Sequence, residues 1–397
     1  MAEQAVLVLV LVLVALVFAD QAFVGLNSNG TNLVLQPPAG GQVVFDGVAF
    51  RSLMARLDEL ETQVATLLAD QQCQVAADTS IIVGGSNGVN KWAGGALAGN
   101  GKIYGIPFSS ASVLIIDPTT NTADVTTMTL PQGDYKWWGG VLAGNGKIYG
   151  IPFFSESVLI IDPVTNEADD TAITGLSGTY KWADGVLAGN NKIYGMPARS
   201  QSVLIIDPTT NTSDTTTITK LGSSSQDYNF VGGVLAGNGN IYGIPCQSES
   251  VLIVDPTTDT ADTTTITGLS GDYKWYGGVL ADNGKIYAIP GHSVSVLIID
   301  PATNKADTVT VMSGLSKWRG GVLARNGKIY GIPFRSASVL IIDPTNDTIN
   351  TTNMGLSEAN EKWWGGVLAG NDKIYGIPGA STSVLVVQQA CCRVKGL

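Results

Sequence analysis

Histidine is almost absent from this 397-residue chain, where His292 stands alone. A Ser/His/Asp triad or a histidine-based metal centre therefore has one candidate imidazole, in a loop that varies between repeats. Cysteine is nearly as scarce, at Cys73, Cys246, Cys391 and Cys392. No CxxC pair occurs, so a zinc ribbon has no ligands. Charged residues make up only 14%, against about a quarter in ordinary domains. The net charge of −11 leaves no basic face for DNA or RNA. Glycine, in contrast, is abundant at 48 residues, and Thr, Val and Ile accompany it. That mixture favours strands and tight turns over helices.

The strands come in a repeat. Trp92, Trp137, Trp182, Phe230, Trp275, Trp318 and Trp363 each precede a pair of small residues and an apolar run. GGALAGNGKIYGIP (94–107) returns as GGVLAGNGKIYGIP (139–152) and five more times with few changes. Seven units of about 45 residues with all-β composition predict a seven-bladed β-propeller. Each unit parses into four strands: GGVLA, KIYGIP, SVLIID and a Thr-rich strand of the type ADTTTIT. Asn-Gly joins the first two, both residues tolerating positive φ. The Gly-Gly pair fits an inner strand whose neighbours converge on one axis. Asp184 replaces the first glycine of the third unit, which would turn one carboxylate toward the channel.

The seventh unit lacks its fourth strand. Residues 76–83, AADTSIIV, align with Ala261–Thr267 and are expected to supply it, so that no free edge remains. In the same alignment Cys73 falls at Thr257, Cys391 at Thr258 and Cys392 at Asp259. These are disulfide candidates that would latch the ends together, worth about 4–5 kcal/mol by loop entropy. Reduced surface thiols are the alternative.

The N-terminal region differs. Residues 1–22 carry the apolar run VLVLVLVLVALVFA (6–19), a signal sequence, a membrane anchor or a fibre-assembling segment. Residues 23–49 predict a small β element, with NLVLQ and QVVFDG flanking the turn PPAGG. In residues 50–72, Phe50, Leu53, Leu57, Leu60, Val64 and Leu67 alternate spacings of three and four. That seam predicts a heptad helix, self-associating or docked on its own propeller. Residues 73–397 form the propeller.

KIYGIP followed by SVLIIDPTTNT resembles the kelch repeat. It departs where kelch has Gly-Gly after its tyrosine strand, here Ile-Pro, and where kelch has Trp after the Asn, here Ala-Asp. The unit is also similar to uncharacterised GVLAGNGKIYGIP-type repeats of algal and large-virus surface proteins, over residues 78–388. That resemblance implies the fold and no established function. The β element and heptad helix resemble the stalks of trimeric viral and phage fibres.

The connections between second and third strands differ from unit to unit, as FSSA, FFSE, ARSQ, CQSE, GHSV, FRSA and GAST. Variation on a uniform scaffold is where specificity sits. The candidate ligand-binding face on this side holds Lys91, Trp92, Phe108, Lys136, Trp138, Phe154, Lys181, Arg199, Lys274, His292, Lys317, Arg335, Lys362 and Trp364. Aromatic faces stack on sugars, and Lys and Arg pair with carboxylate or sulfate. The competing expectation is tryptophans wedged between blades and lysines merely solvated. The chain is thus expected to be a non-catalytic head for adhesion, receptor or glycan attachment. It would be displayed on a cell or virion surface as a homotrimer through residues 23–70, with no cofactor, metal or nucleic acid. The alternative is a sugar lyase, hydrolase or lactonase with a metal in the channel.

Overall fold

The computed structural model describes residues 23–26, 33–36, 43–45, 59, 75–84, 88–221, 228–311, 317–357 and 361–389. The chain divides into two compact units, residues 1–74 with 391–397, and residues 75–390. In the first unit, β1 (Phe23–Leu26), β2 (Leu33–Gln36) and β3 (Val43–Phe45) form an antiparallel sheet in that order. The hairpin anticipated around residues 37–41 pairs Leu33 with Phe45 and Leu35 with Val43. β1 adds a strand not anticipated. Of the heptad segment only Glu59 is described, helical and exposed. Residues 1–22, the seam from Phe50 to Leu67, and Cys73, Cys391 and Cys392 lie outside the described residues. No helix among the described residues is long and apolar enough to cross a membrane.

The second unit is a ring of seven four-stranded antiparallel sheets, a β-propeller. After β4 (Ala76–Asp78), blade one runs β5 (Trp92–Leu97), β6 (Ile103–Pro107), β7 (Leu114–Asp117) and β8 (Thr122–Asp124), from axis to rim. Each inner strand packs beside the next, and that of blade seven (Trp363–Leu368) packs beside β5. β4 pairs with Leu385–Gln388 as the outer strand of blade seven, Val387 opposite Ala77. The chain's first propeller strand thus closes its last blade.

The core lies between blades because the middle strands are apolar on both faces. Ile106 and Val113 of blade one share a cluster with Trp137, Ile148 and Leu159 of blade two, and equivalents recur around the ring. Each wedge tryptophan also satisfies its indole N–H. Trp92 donates to the Ser112 carbonyl at 2.8 Å, and Trp137 to Ser157 at 2.7 Å. On the opposite face the asparagine of the turn between first and second strands stitches six of the blades to the next, Asn326 of blade six bonding Tyr330 of its own blade. Asn145 Nδ2 donates to Tyr149 Oη at 3.0 Å and to the Pro208 carbonyl of blade three at 3.1 Å. The same contact crosses the closure, from Asn371 to Pro118 at 3.1 Å.

The outer strands are shorter than ADTTTIT predicts in blades one to four, at three residues each. There an Asp-x-Thr sequence ends pairing: Asp124 Oδ1 accepts from the Thr126 backbone N–H and hydroxyl, both at 2.7 Å. The carboxylate offers the backbone a local turn in place of the ladder. Blade five has Val309 where these blades have Thr, and blade six has Asn350 in place of the Asp. Their outer strands, Lys305–Thr310 and Thr348–Asn353, run six residues.

Candidate functional site

The waist of the channel is set by the Gly-Gly pairs. In every blade the pairing of first and second strands slips at this point, as between Trp92–Pro107 and Gly95–Gly105. This β-bulge places the first residue of the pair at positive φ, +74° at Gly94 and +77° at Gly139. A Cβ on Gly94 would lie 3.0 Å from the Gly139 Cα, and one on Gly232 would lie 2.9 Å from the Gly277 Cα. The ring is too tight at this level for side chains all round.

Asp184 is the exception. It keeps the bulge conformation, at φ 69°, and carries a carboxylate into the space left by its glycine neighbours. Its hydrogen bond comes from the Gly185 N–H to Oδ1, at 2.9 Å. Desolvation raises its carboxyl to about 6, against the lowering effect of that bond.

On either side of this ring lies a cavity. The one toward the Asn-Gly turns, of about 130 Å³, is lined by the glycine pairs and Asp184. The other, of about 70 Å³, opens toward the variable connections. It is lined by Trp138, Asp184, Val231, Tyr276, Arg319 and Trp364 with the ring glycines. Arg319 dominates it. Its Cζ lies 3.9 Å from the ring centre of Phe334, 4.2 Å from Trp364, 4.4 Å from Tyr276 and 5.9 Å from Trp138. Nε and Nη1 are buried and have no hydrogen-bond partner among the described residues, nor does Trp364 Nε1. Burial lowers the Arg319 pKa, partly offset by Tyr276 and Glu361. A guanidinium nonetheless stays charged. Isolated buried charge is costly unless paired, and here aromatic faces supply only part of the missing solvation.

The expected face is brought together in part. Trp138 and Trp364 line the cavity, their ring centres 5.1 Å apart. Phe108 packs on both, and Phe154 stands one layer out against Phe153 and Tyr180. Arg199 lies over Tyr180 at 4.1 Å and Tyr228 at 4.9 Å. Arg335 pairs with Glu361 at 3.2 Å. His292 packs edge-on to Tyr273, its pKa lowered by desolvation and then by Arg319 and Arg335. Of these cations, Arg199 and Arg319 lie on aromatic rings, whereas Arg335 is neutralised by Glu361.

The lysines and Trp92 are placed elsewhere. Lys91, Lys136, Lys181, Lys274 and Lys362 are buried, and Trp92 is wholly enclosed between blades. Lys181 Nζ donates to the carbonyls of Gly178, Ser155 and Phe153 at 2.8, 2.9 and 3.2 Å, and Lys274 makes the equivalent three bonds. They stitch adjacent blades instead of standing solvated at a rim. Burial pushes Lys91, Lys136 and Lys181 down to about 8. Lys317 sits in the same frame, its ammonium 5.5 Å from the Trp318 ring.

Arg319 and Tyr276 escape a reading centred on loops. They stand in the column directly after the wedge aromatic: Ala93, Trp138, Ala183, Val231, Tyr276, Arg319 and Trp364. The column is the signal, since one position changes from alanine to arginine while its neighbours stay fixed. Cys246, enclosed nearby, is free, with its thiol pushed up to about 12 by burial. Among the described residues no group of three or more His, Cys, Asp or Glu is placed to hold a metal ion.

Residues 194–388 match a family described as a repeat of unknown function (DUF6923). The chain is similar to that repeat family. No curated protein matches the sequence. Among solved structures it is similar to virginiamycin B lyase from Staphylococcus aureus, with TM-score 0.66 and 9% identity over 79% of this chain and 99% of that one. It is also similar to hydrazine synthase from Kuenenia stuttgartiensis, with TM-score 0.60 and 13% identity over 77% and 97%. A third is the extracellular domain of a protein described as a one-component system, from B. thetaiotaomicron, with TM-score 0.60 and 9% identity over 92% of this chain and 46% of that one. At these identities the likeness is one of fold.

Proposed function

We propose that the propeller is a binding head whose channel mouth takes the anionic group of a small molecule, such as the carboxylate or sulfate of an acidic sugar. The carrying observation is Arg319, a buried guanidinium with two unpaired nitrogens on a cavity walled by tryptophan and tyrosine. Arg supplies a planar donor fork for carboxylate or sulfate, and the rings supply a stacking surface for the body that bears it. A cavity of about 70 Å³ equals the liquid volume of roughly two waters at about 30 Å³ each. It therefore admits the head of a sugar acid, with the remainder over the aromatic collar.

The reading includes display outside the cell or on a virion, and oligomerisation through residues 23–70. Similar folds among extracellular domains support the first. The mass of the full chain beside one starting near Cys73 tests the second: a trimer and a monomer support the stalk, and two monomers remove it. For the site itself, calorimetric titration with glucuronate should give saturable heat, absent with glucose and absent in Arg319→Leu. Equal behaviour of the two proteins would end the reading. One observation favours a second reading, an enzyme using Asp184 as general acid–base: its carboxyl sits near neutral pH. That reading requires chemical turnover of a molecule that binds.

A further inference from the structure

We infer that the ligand of this cavity is a zwitterion, with its anionic group on Arg319 and an amine on Asp184; the inference rests on the anion-binding reading above. Both residues line the same small cavity. Arg319 Nε and Nη1 have no partner among the described residues, and Asp184 is bonded by a single backbone N–H. Among the described residues the two form no ion pair with each other, although both line that cavity. Six of the seven blades place glycine where Asp184 stands, and the six blades without Arg319 place an uncharged residue at its position. The ring therefore closes without either charge, and each is an isolated departure from the repeat.

The electrostatics follow from this arrangement. A carboxylate alone would satisfy Arg319 and add a negative charge to a cavity whose floor is already anionic. An amine alone would satisfy Asp184 beside a guanidinium that repels it. A molecule carrying both groups compensates both charges, so the hydration its ammonium and carboxylate give up is replaced by two charge-assisted contacts. The aromatic walls of the same cavity, Trp138, Tyr276 and Trp364, suit the short carbon chain joining the groups. The cavity's size selects amino acids or the amino-acid head of a larger molecule.

The test uses the whole propeller chain and matched probes: glycine, β-alanine and 4-aminobutyrate, against acetate, propionate and butyrate, which lack the amine. Affinities are read for the natural protein, Asp184→Asn and Arg319→Leu. Asparagine is near-isosteric, tolerates positive φ and keeps an acceptor for the Gly185 N–H, so the ring is preserved. A charge-assisted hydrogen bond of ordinary strength is worth at least about tenfold in affinity. One amino acid of the series should bind by that factor more tightly than its amine-free partner, and Asp184→Asn should erase the difference. If the amine-free acid binds equally well, or the advantage survives in Asp184→Asn, the zwitterion inference is overturned while anion binding stands. If no probe binds and Arg319→Leu behaves as the natural protein, the anion-binding reading itself fails.

Discussion

Asp184 should make this propeller less stable near neutral pH than it would be without its charge. Its carboxyl rises from the ordinary 3.8 to about 6 because the folded ring strips it of water. A carboxyl whose folded-state pKa is raised holds its proton more tightly folded than unfolded. The native state is therefore unpenalised below pH 3.8 and loses stability as pH climbs through about 6. At about 1.4 kcal/mol per pH unit the full penalty is about 3 kcal/mol. Part of the group faces the channel, and water there reduces the expected value to about 1.5–3 kcal/mol. Asp184→Asn removes the charge while keeping shape and backbone conformation. In urea unfolding it should gain that amount at pH 7.5 and only a few tenths of a kcal/mol at pH 4. Asp184→Gly should gain about 1 kcal/mol more at both pH values, since glycine adopts the +69° φ without cost. An equal gain for Asp184→Asn at the two pH values, or none at pH 7.5, would refute the reasoning.

Four further outcomes are expected. Arg319→Leu should leave stability unchanged or raise it by up to about 2 kcal/mol in urea melts, since a desolvated unpaired cation is exchanged for apolar contact. Lys181→Met should cost at least about 2 kcal/mol in the same assay, because the Gly178 and Ser155 carbonyls lose their donor while Phe153 keeps only the Lys181 backbone N–H. Gly139→Ala should cost at least about 1–2 kcal/mol: its φ is +77°, and its Cβ would lie 2.9 Å from the Asp184 Cα. A chain starting at residue 84 should lose about 5 kcal/mol and tend to associate through the bared edge at residues 385–388, detected by light scattering. It forfeits the β4 pairing and the buried Ile81 and Val83.

Strand order, blade number and ring closure were legible because the repeat is uniform: one solution to strand and turn chemistry, read seven times. The closing strand could be found because residues 76–83 look like an outer strand with no blade of their own. Of the candidate site, the cavity-lining or adjacent aromatics Trp138, Phe108 and Trp364 were legible, being bulky and next to variable loops. The lysines misled because a lysine in a connection reads as solvated. Only the three-dimensional ring shows the carbonyls of Gly178, Ser155 and Phe153 converging on Lys181 from two blades. Arg319 was hidden for the opposite reason. It lies inside a strand beside a glycine pair, and the bulge that aims the column into the channel is a property of backbone pairing. The short outer strands were equally obscured, since Asp-x-Thr favours a turn over the ladder only by local hydrogen bonds.

The most direct test of the anion-binding channel is the set of tryptophan indole N–H resonances during titration with glucuronate. Six wedge indoles, those of Trp92, Trp137, Trp182, Trp275, Trp318 and Trp363, are tied to serine carbonyls between blades and serve as internal controls. Trp138 and Trp364 line the cavity. The account predicts saturable shifts confined to those two indoles and their loss in Arg319→Leu. Shifts spread over the wedge indoles, or none at Trp138 and Trp364 while heat of binding is measured, would contradict it.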